Sequence, residues 1–205
     1  RPENERAGTH LVLMLHGYGS QEHDLLSLAA HLPQEGFTYA SMRAPQPVGT
    51  QFSADSTGAY IAADAIGYQW YPLNQQLESD QRAIEQASDY VLEWVRANRE
   101  QYASVTLLGF SHYFKDEELK KTELPVFFGR DQEDPVIPQE MVNYTYDWIR
   151  KYTDGIKVLY AGAGHGVSAM EIRHVGEFLE VKVQGKEPRI RAQKVAEATG
   201  TAEGS

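Results

Sequence analysis

The sequence predicts an α/β fold with a mostly parallel sheet covered by helices on both faces. Three observations predict it. Short, uniformly apolar runs of strand length recur along the chain, amphipathic helical segments separate them, and chemically capable residues fall just past the ends of four of the runs. A strand buried on both faces needs apolar side chains pointing both ways, so it reads as a continuous run rather than an alternation. In such sheets, sites form at the carboxyl ends of strands.

Leu11-Val12-Leu13-Met14-Leu15 is the first run, and it stops at His16-Gly17-Tyr18-Gly19. Residues 21–32 then carry Leu25, Leu28, Ala29 and Leu32 at helical spacing, closed by Pro33 and Gly36. Residues 37–42 read as a second strand before Ala44-Pro45-Gln46-Pro47. Residues 48–76 are rich in Gly, Ser, Ala and Gln, end in Tyr68-Gln69-Trp70-Tyr71, and show no sustained period. They are expected to form a long irregular excursion of the kind that is often functional. The clearest helix spans about 77–101, with Ile84, Ala87, Val91, Trp94 and Val95 on one stripe. Residues 105–108 form another buried-type strand, running toward Ser111.

Val126-Phe127-Phe128 leads to the Asp134 loop, and a helix through Met141, Tyr144, Trp148 and Ile149 follows. Residues 156–160 then form a strand leading to the His165 loop. Ser168 with Glu171 has capping-box spacing and opens a last helix ending near Leu179. Residues 1–180 are expected to form a single domain. Residues 181–205, with Lys182, Lys186, Arg189, Arg191 and Lys194, are expected to be a solvated tail. No internal repeat is visible.

Composition narrows the function classes. A chain of 205 residues with 41% hydrophobic content can bury one core. A net charge of −10 and a pI near 5.2 argue against a nucleic-acid or anionic-membrane surface, since phosphates are bound through clustered Lys and Arg. The absence of cysteine excludes disulfides, thiolate metal sites and a cysteine nucleophile, which leaves serine as the attacking group. No apolar stretch approaches the roughly 18 residues of a membrane span, and residues 1–10 lack the apolar core of a signal peptide. A cytoplasmic location is the expectation.

The chemistry rests on an ordered set. Gly109-Phe110-Ser111 ends an apolar run, Asp134 follows in Asp131-Gln132-Glu133-Asp134-Pro135, and His165 lies in Gly164-His165-Gly166. A hydroxyl to attack, an imidazole to take its proton and a carboxylate to orient the imidazole are the three parts of nucleophilic catalysis by serine. Each has a plainer reading as well. Ser111 could be a turn residue or helix cap, and His165 a surface residue. Asp131 competes with Asp134, and either could cap the helix after Pro138. Pro135 and Pro138 stiffen the chain just after Asp134, which favours Asp134 as the acid. His16-Gly17-Tyr18-Gly19 is a strand-exit turn or an oxyanion hole, the latter formed by the backbone N–H groups of Tyr18 and His112. Trp70 and residues 48–76 wall an acyl pocket, or Trp70 simply anchors an exposed loop.

Leu15-His16-Gly17-Tyr18-Gly19, Ala44-Pro45 with Pro47-Val48, Gln69-Trp70-Tyr71, Gly109-Phe110-Ser111, Gly129-Arg130-Asp131 through Asp134-Pro135-Val136-Ile137-Pro138, and Gly164-His165 together resemble the carboxylesterase and phospholipase family of α/β-hydrolases. That group includes the acyl-protein thioesterases. The resemblance runs from about residue 10 to 180. It implies hydrolysis of carboxylic esters or thioesters through a serine acyl-enzyme, with no metal or organic cofactor. Ser111, Asp134 and His165 fall on the family's triad positions, and Tyr18 and His112 on its oxyanion positions. The implied partner is a small acyl ester or thioester, with a homodimer as the assembly to test.

The chain departs from the family after the serine. The nucleophile elbow reads Gly-x-Ser-x-Gly because the strand turns sharply into a helix there, and Tyr113 stands in place of the closing glycine. Only the 12 residues 112–123 separate Ser111 from Leu124, so about one helix-strand unit, on the order of thirty residues, is absent. Three accounts follow: the physical protein has a further segment here, the chain is a true deletion variant, or it is a binding protein that kept the fold and lost the chemistry. The first is favoured, and an intact mass of 23.1 kDa would exclude it.

Overall fold

The computed structural model describes residues 3–49, 52–54, 57, 60–62, 66–74, 80–109 and 120–189. In chain order its elements are β1 (His10–Leu15), α1 (Glu22–Ala29), β2 (Phe37–Met42), β3 (Gln46–Val48), β4 (Phe52–Ala54), β5 (Tyr60–Ala62), β6 (Gly67–Gln69), α2 (Gln81–Asn98), β7 (Ser104–Gly109), β8 (Pro125–Asp131), α3 (Gln139–Tyr152), β9 (Asp154–Tyr160) and α4 (Ala169–Gln184).

The apolar run 11–15 becomes the centre of the fold because both of its faces find cover. β1 lies between β2 and β7, parallel to each, with His10 opposite Phe37 and Ser104 and Leu15 opposite Met42 and Gly109. Leu11, Val12, Leu13 and Met14 are fully buried. Alternation then sorts the side chains. Val12, with Phe37, packs against Leu179 of α4, and Met14 packs with Leu32 and Ile172. Leu13 faces the other way, into Met42 and Val91 of α2, with Trp70, Trp94 and Val95 around them. Burial of large aliphatic side chains on this scale is worth about 1.5–3 kcal/mol each, which makes β1 the strand that the fold can least afford to lose.

A second parallel pair carries the later loops. β8 and β9 run in register from Pro125 opposite Asp154 to Asp131 opposite Tyr160. α3 lies close on them: a β-carbon at Gly155 would come 2.1 Å from Ile149 Cγ2. α4 joins the two units, since its Phe178 ring meets Phe127 of β8 at 5.7 Å while Ile172 and Leu179 pack on the first sheet. Among the described residues β7 pairs only with β1 and β8 only with β9. The break follows β7, where the sequence places the absent helix-strand unit. Leu107 of β7, the strand that borders the break, is correspondingly uncovered to 51%.

Three expectations are corrected. The excursion 48–76 carries short strands: β3 pairs antiparallel with β6, and β4 with β5. Three-residue strands are too brief to show a period, which is why the sequence hid them. The helix expected over 77–101 begins at Gln81, where the Asp80 carboxylate accepts the Arg82 N–H at 3.3 Å, and passes at Arg99–Gln101 into a single-turn helix. α4 continues past Leu179 to Gln184 and stops at Gly185, whose φ of +68° ends the helix in the left-handed conformation glycine tolerates best. The first part of the expected tail is therefore helix and cap. Lys182 pairs with Asp154 at 3.0 Å, and Lys186 and Arg189 both pair with Glu180. Residues 190–205, with Arg191 and Lys194, lie outside the described residues.

Candidate active site

Parallel pairing brings the relevant strand ends together. Leu15 and Gly109 are register partners, so the chain leaves β1 and β7 side by side. Gly109 fits there for a steric reason: a β-carbon would lie 2.8 Å from the Leu15 carbonyl oxygen and 2.9 Å from Leu15 Cβ. The candidate nucleophile Ser111 comes two residues later. Ser111 and His112 lie outside the described residues.

The exit of β1 is tightly organised. The buried His16 imidazole accepts the Ala44 N–H on Nε2 at 3.1 Å, which leaves Nδ1 to donate to the Gly17 carbonyl at 2.9 Å. One neutral tautomer thus links the ends of β1 and β2. The Trp70 indole N–H donates to the His16 carbonyl at 2.7 Å, and the two rings pack at 5.5 Å. Residues 17–20 are then clipped to β6: Gly19 N–H donates to the Tyr68 carbonyl and Tyr68 N–H to the Ser20 carbonyl, both at 2.9 Å. Arg43 adds a brace, pairing with Glu22 and lying 4.8 Å over the Tyr68 ring. That contact holds the Glu22 carboxyl down at about 2. Tyr18 sits in the clipped turn and is 58% exposed.

The acid and histidine loops leave β8 and β9 as neighbours in the same way. The Asp134 carboxylate, only 2% exposed, lies 3.0 Å (Oδ2) and 3.2 Å (Oδ1) from His165 Nδ1. An ionised carboxylate can only accept, so Nδ1 carries the proton and donates. Oδ1 also accepts the N–H groups of Val136, at 2.7 Å, and Ile137, at 3.1 Å. Oδ2 accepts from the Arg130 guanidinium. Burial raises the Asp134 carboxyl, but the Val136 N–H, His165, the Ile137 N–H and the Arg130 charge together hold it below the usual aspartate range.

Asp131 does different work. It accepts the N–H groups of Glu133 at 2.8 Å, Ala163 at 2.5 Å and Gly164 at 2.8 Å, and these hydrogen bonds, that from Glu133 foremost, also hold its carboxyl low. Asp134, the aspartate the sequence favours, meets His165, and Asp131 shapes the backbone from which His165 projects. Among the described residues no cluster of His, Cys, Asp and Glu could hold a metal ion.

The structure thus joins Asp134 to His165, sets Tyr18 at the exit of β1, and makes Trp70 a fastening of that exit. Sequence reasoning passed over Arg130, although its spacing of four from Asp134 was a signal. It also passed over the His16 side chain, for which an apolar strand followed by His-Gly gives no indication of a cross-strand hydrogen bond.

No family model and no curated protein matches the chain. Solved structures do. A protein of unknown function from Agrobacterium tumefaciens, Atu2452, is 20% identical with a TM-score of 0.64, over 85% of this chain and 92% of that one. Esterase PE8 is 19% identical with a TM-score of 0.60, over 85% and 93%. A carboxylesterase from Mesorhizobium loti is 13% identical with a TM-score of 0.61, over 83% and 88%. With its parallel strands, covering helices and these neighbours, the chain has the α/β-hydrolase fold.

Proposed function

We propose that the protein is a serine hydrolase of carboxylic esters, with thioesters and lysophospholipids as the neighbouring substrate classes. The observation that carries this reading is the buried Asp134 carboxylate holding His165 Nδ1 beside it, on loops that leave adjacent parallel strands. With Nδ1 occupied, Nε2 is the nitrogen that exchanges the proton.

In this mechanism the Ser111 hydroxyl attacks the acyl carbon and passes its proton to His165 Nε2. The tetrahedral oxyanion is met by the N–H groups of Tyr18 and His112. The imidazolium then protonates the leaving alcohol or thiol as the acyl bond breaks. Water, deprotonated by His165, releases the acid and restores Ser111. Asp134 orients the imidazole throughout, and no cofactor enters. Trp70 holds the exit of β1, from which the Tyr18 N–H is presented.

Turnover of p-nitrophenyl acetate and butyrate, together with labelling by a fluorophosphonate probe, is the expected behaviour. Both are lost in Ser111→Ala, and turnover is lost in His165→Ala. Turnover that survives Ser111→Ala unchanged sinks the mechanism. A second reading, a binding protein of this fold without catalysis, is favoured by Tyr113 in the elbow. It requires an unlabelled Ser111 alongside measurable binding of an acyl or peptide ligand.

A further inference from the structure

Arg130 stands next to last in β8, and its Nη2 donates to Asp134 Oδ2, the oxygen that lies 3.0 Å from His165 Nδ1. The Arg130 side chain is 13% exposed and that of Asp134 2%, so water screens this ion pair poorly. The charged groups facing the carboxylate can be named element by element. β8 contributes Arg130 and Asp131 and the loop after β9 contributes His165, while Glu171 in the first turn of α4 faces Arg130 and Asp131. The Glu171 carboxylate lies over Gly129, where a β-carbon would meet its Oε1 at 2.2 Å. Burial first, and then the charge of Asp131, push the Glu171 carboxyl up, while the Ser168 backbone contact and Arg130 draw it back. Two carboxylates, Asp134 and Glu171, therefore share the field of the Arg130 guanidinium, and Asp134 passes it on to the imidazole it holds.

An imidazolium beside a lone buried carboxylate is strongly favoured, and a histidine held in that form cannot take a proton from serine. A cation on the same carboxylate oxygen weakens that preference without breaking the hydrogen bond that orients the ring. We propose that Arg130 is a positioning residue for the histidine: by fixing the Asp134 carboxylate and offsetting part of its charge, it sets the pH at which His165 becomes neutral. The proposal rests on the reading of Asp134 and His165 as acid and base. Arg130 touches neither substrate nor reacting atoms and acts only through Asp134.

The test follows His165 by NMR titration of nitrogen-15-labelled protein, its signals assigned with His165→Asn, in the parent, Arg130→Met and Arg130→Lys. Arg130→Met raises the His165 midpoint by roughly 0.5–1 pH unit, and Arg130→Lys, which restores the charge, returns it to within about 0.2 unit of the parent. An unchanged midpoint in Arg130→Met overturns the proposal. Equal shifts in the two variants overturn it as well, since they would make Arg130 a packing residue alone. The titration needs no turnover, so it stands apart from failure of the hydrolase reading, which is read by the ester and probe assays. If both hold, the acid limb of the kcat/KM profile moves with the NMR midpoint.

Discussion

The Asp131 carboxylate accepts the backbone N–H of Gly164 at 2.8 Å, so one aspartate builds the loop from which the partner of the next aspartate projects. The two carboxylates are three residues apart and have separate tasks. Asp131 satisfies backbone donors that would otherwise be stranded in a buried corner, and Asp134 addresses the imidazole.

Asp131→Asn should therefore cost stability before it costs chemistry. An amide in that place accepts at one oxygen and faces at least one N–H with another donor, so the loop loses a hydrogen bond and gains a donor clash. The sign of the pH dependence follows from the lowered folded-state pKa of Asp131. Its contribution is complete above the unfolded aspartate value of about 3.9 and is lost as pH falls through the folded value. Urea melts should show the gap between parent and variant near its maximum at neutral pH and closing as the pH falls below the unfolded aspartate value. A gap that stays constant with pH would contradict this account.

Asp134→Asn should leave the fold in place and lower kcat by about 1,000- to 10,000-fold with KM within a few-fold. An amide nitrogen turned toward Nδ1 favours the tautomer with its proton on Nε2, which cannot accept from a hydroxyl. Unchanged far-UV circular dichroism alongside the kinetic loss separates this outcome from unfolding. A loss of less than tenfold would remove Asp134 from the acid role.

What the sequence made legible follows from the range of each interaction. β1 was readable because a strand covered on both faces must be apolar at every position, a purely local requirement that residues 11–14 meet. Asp134 and His165 were readable as types at strand ends, since their order is a property of the chain. The division of labour between Asp131 and Asp134 was not, because it depends on which carboxylate the loop after β9 meets, some 30 residues away. Arg130 was passed over although its partner is only four residues away, because a basic residue in a strand reads as a solvent-facing charge. The strands β3 to β6 were hidden by brevity.

Gly67 offers a steric test of the clipped turn. A β-carbon there would lie 2.0 Å from the Gly19 carbonyl oxygen and 2.4 Å from its carbon, both backbone atoms that cannot swing aside. Gly67→Ala should break the pairing of residues 19–20 with Tyr68 and cost about 2 kcal/mol or more, with ester turnover falling further than stability alone explains. Gly8→Ala is the comparison. Its site has φ +75° but open space around it, so only backbone strain of about 1 kcal/mol is expected, and turnover should be kept. Equal melting temperatures for Gly67→Ala and the parent would show that the two segments do not meet.

Trp70→Phe separates two roles for one side chain. Phenylalanine keeps an aromatic surface against His16 and the Leu13, Met42 and Val91 cluster but removes the donor to the His16 carbonyl. If Trp70 chiefly holds the exit of β1, the variant loses about 1 kcal/mol of stability, and kcat falls equally for p-nitrophenyl acetate and butyrate because the Tyr18 N–H is displaced for both. If the ring instead borders the acyl chain, KM for butyrate rises while that for acetate stays within twofold, since only the longer chain reaches it. The 2.7 Å hydrogen bond favours the first outcome. A butyrate-selective rise in KM with unchanged stability would overturn that expectation and make Trp70 a specificity residue.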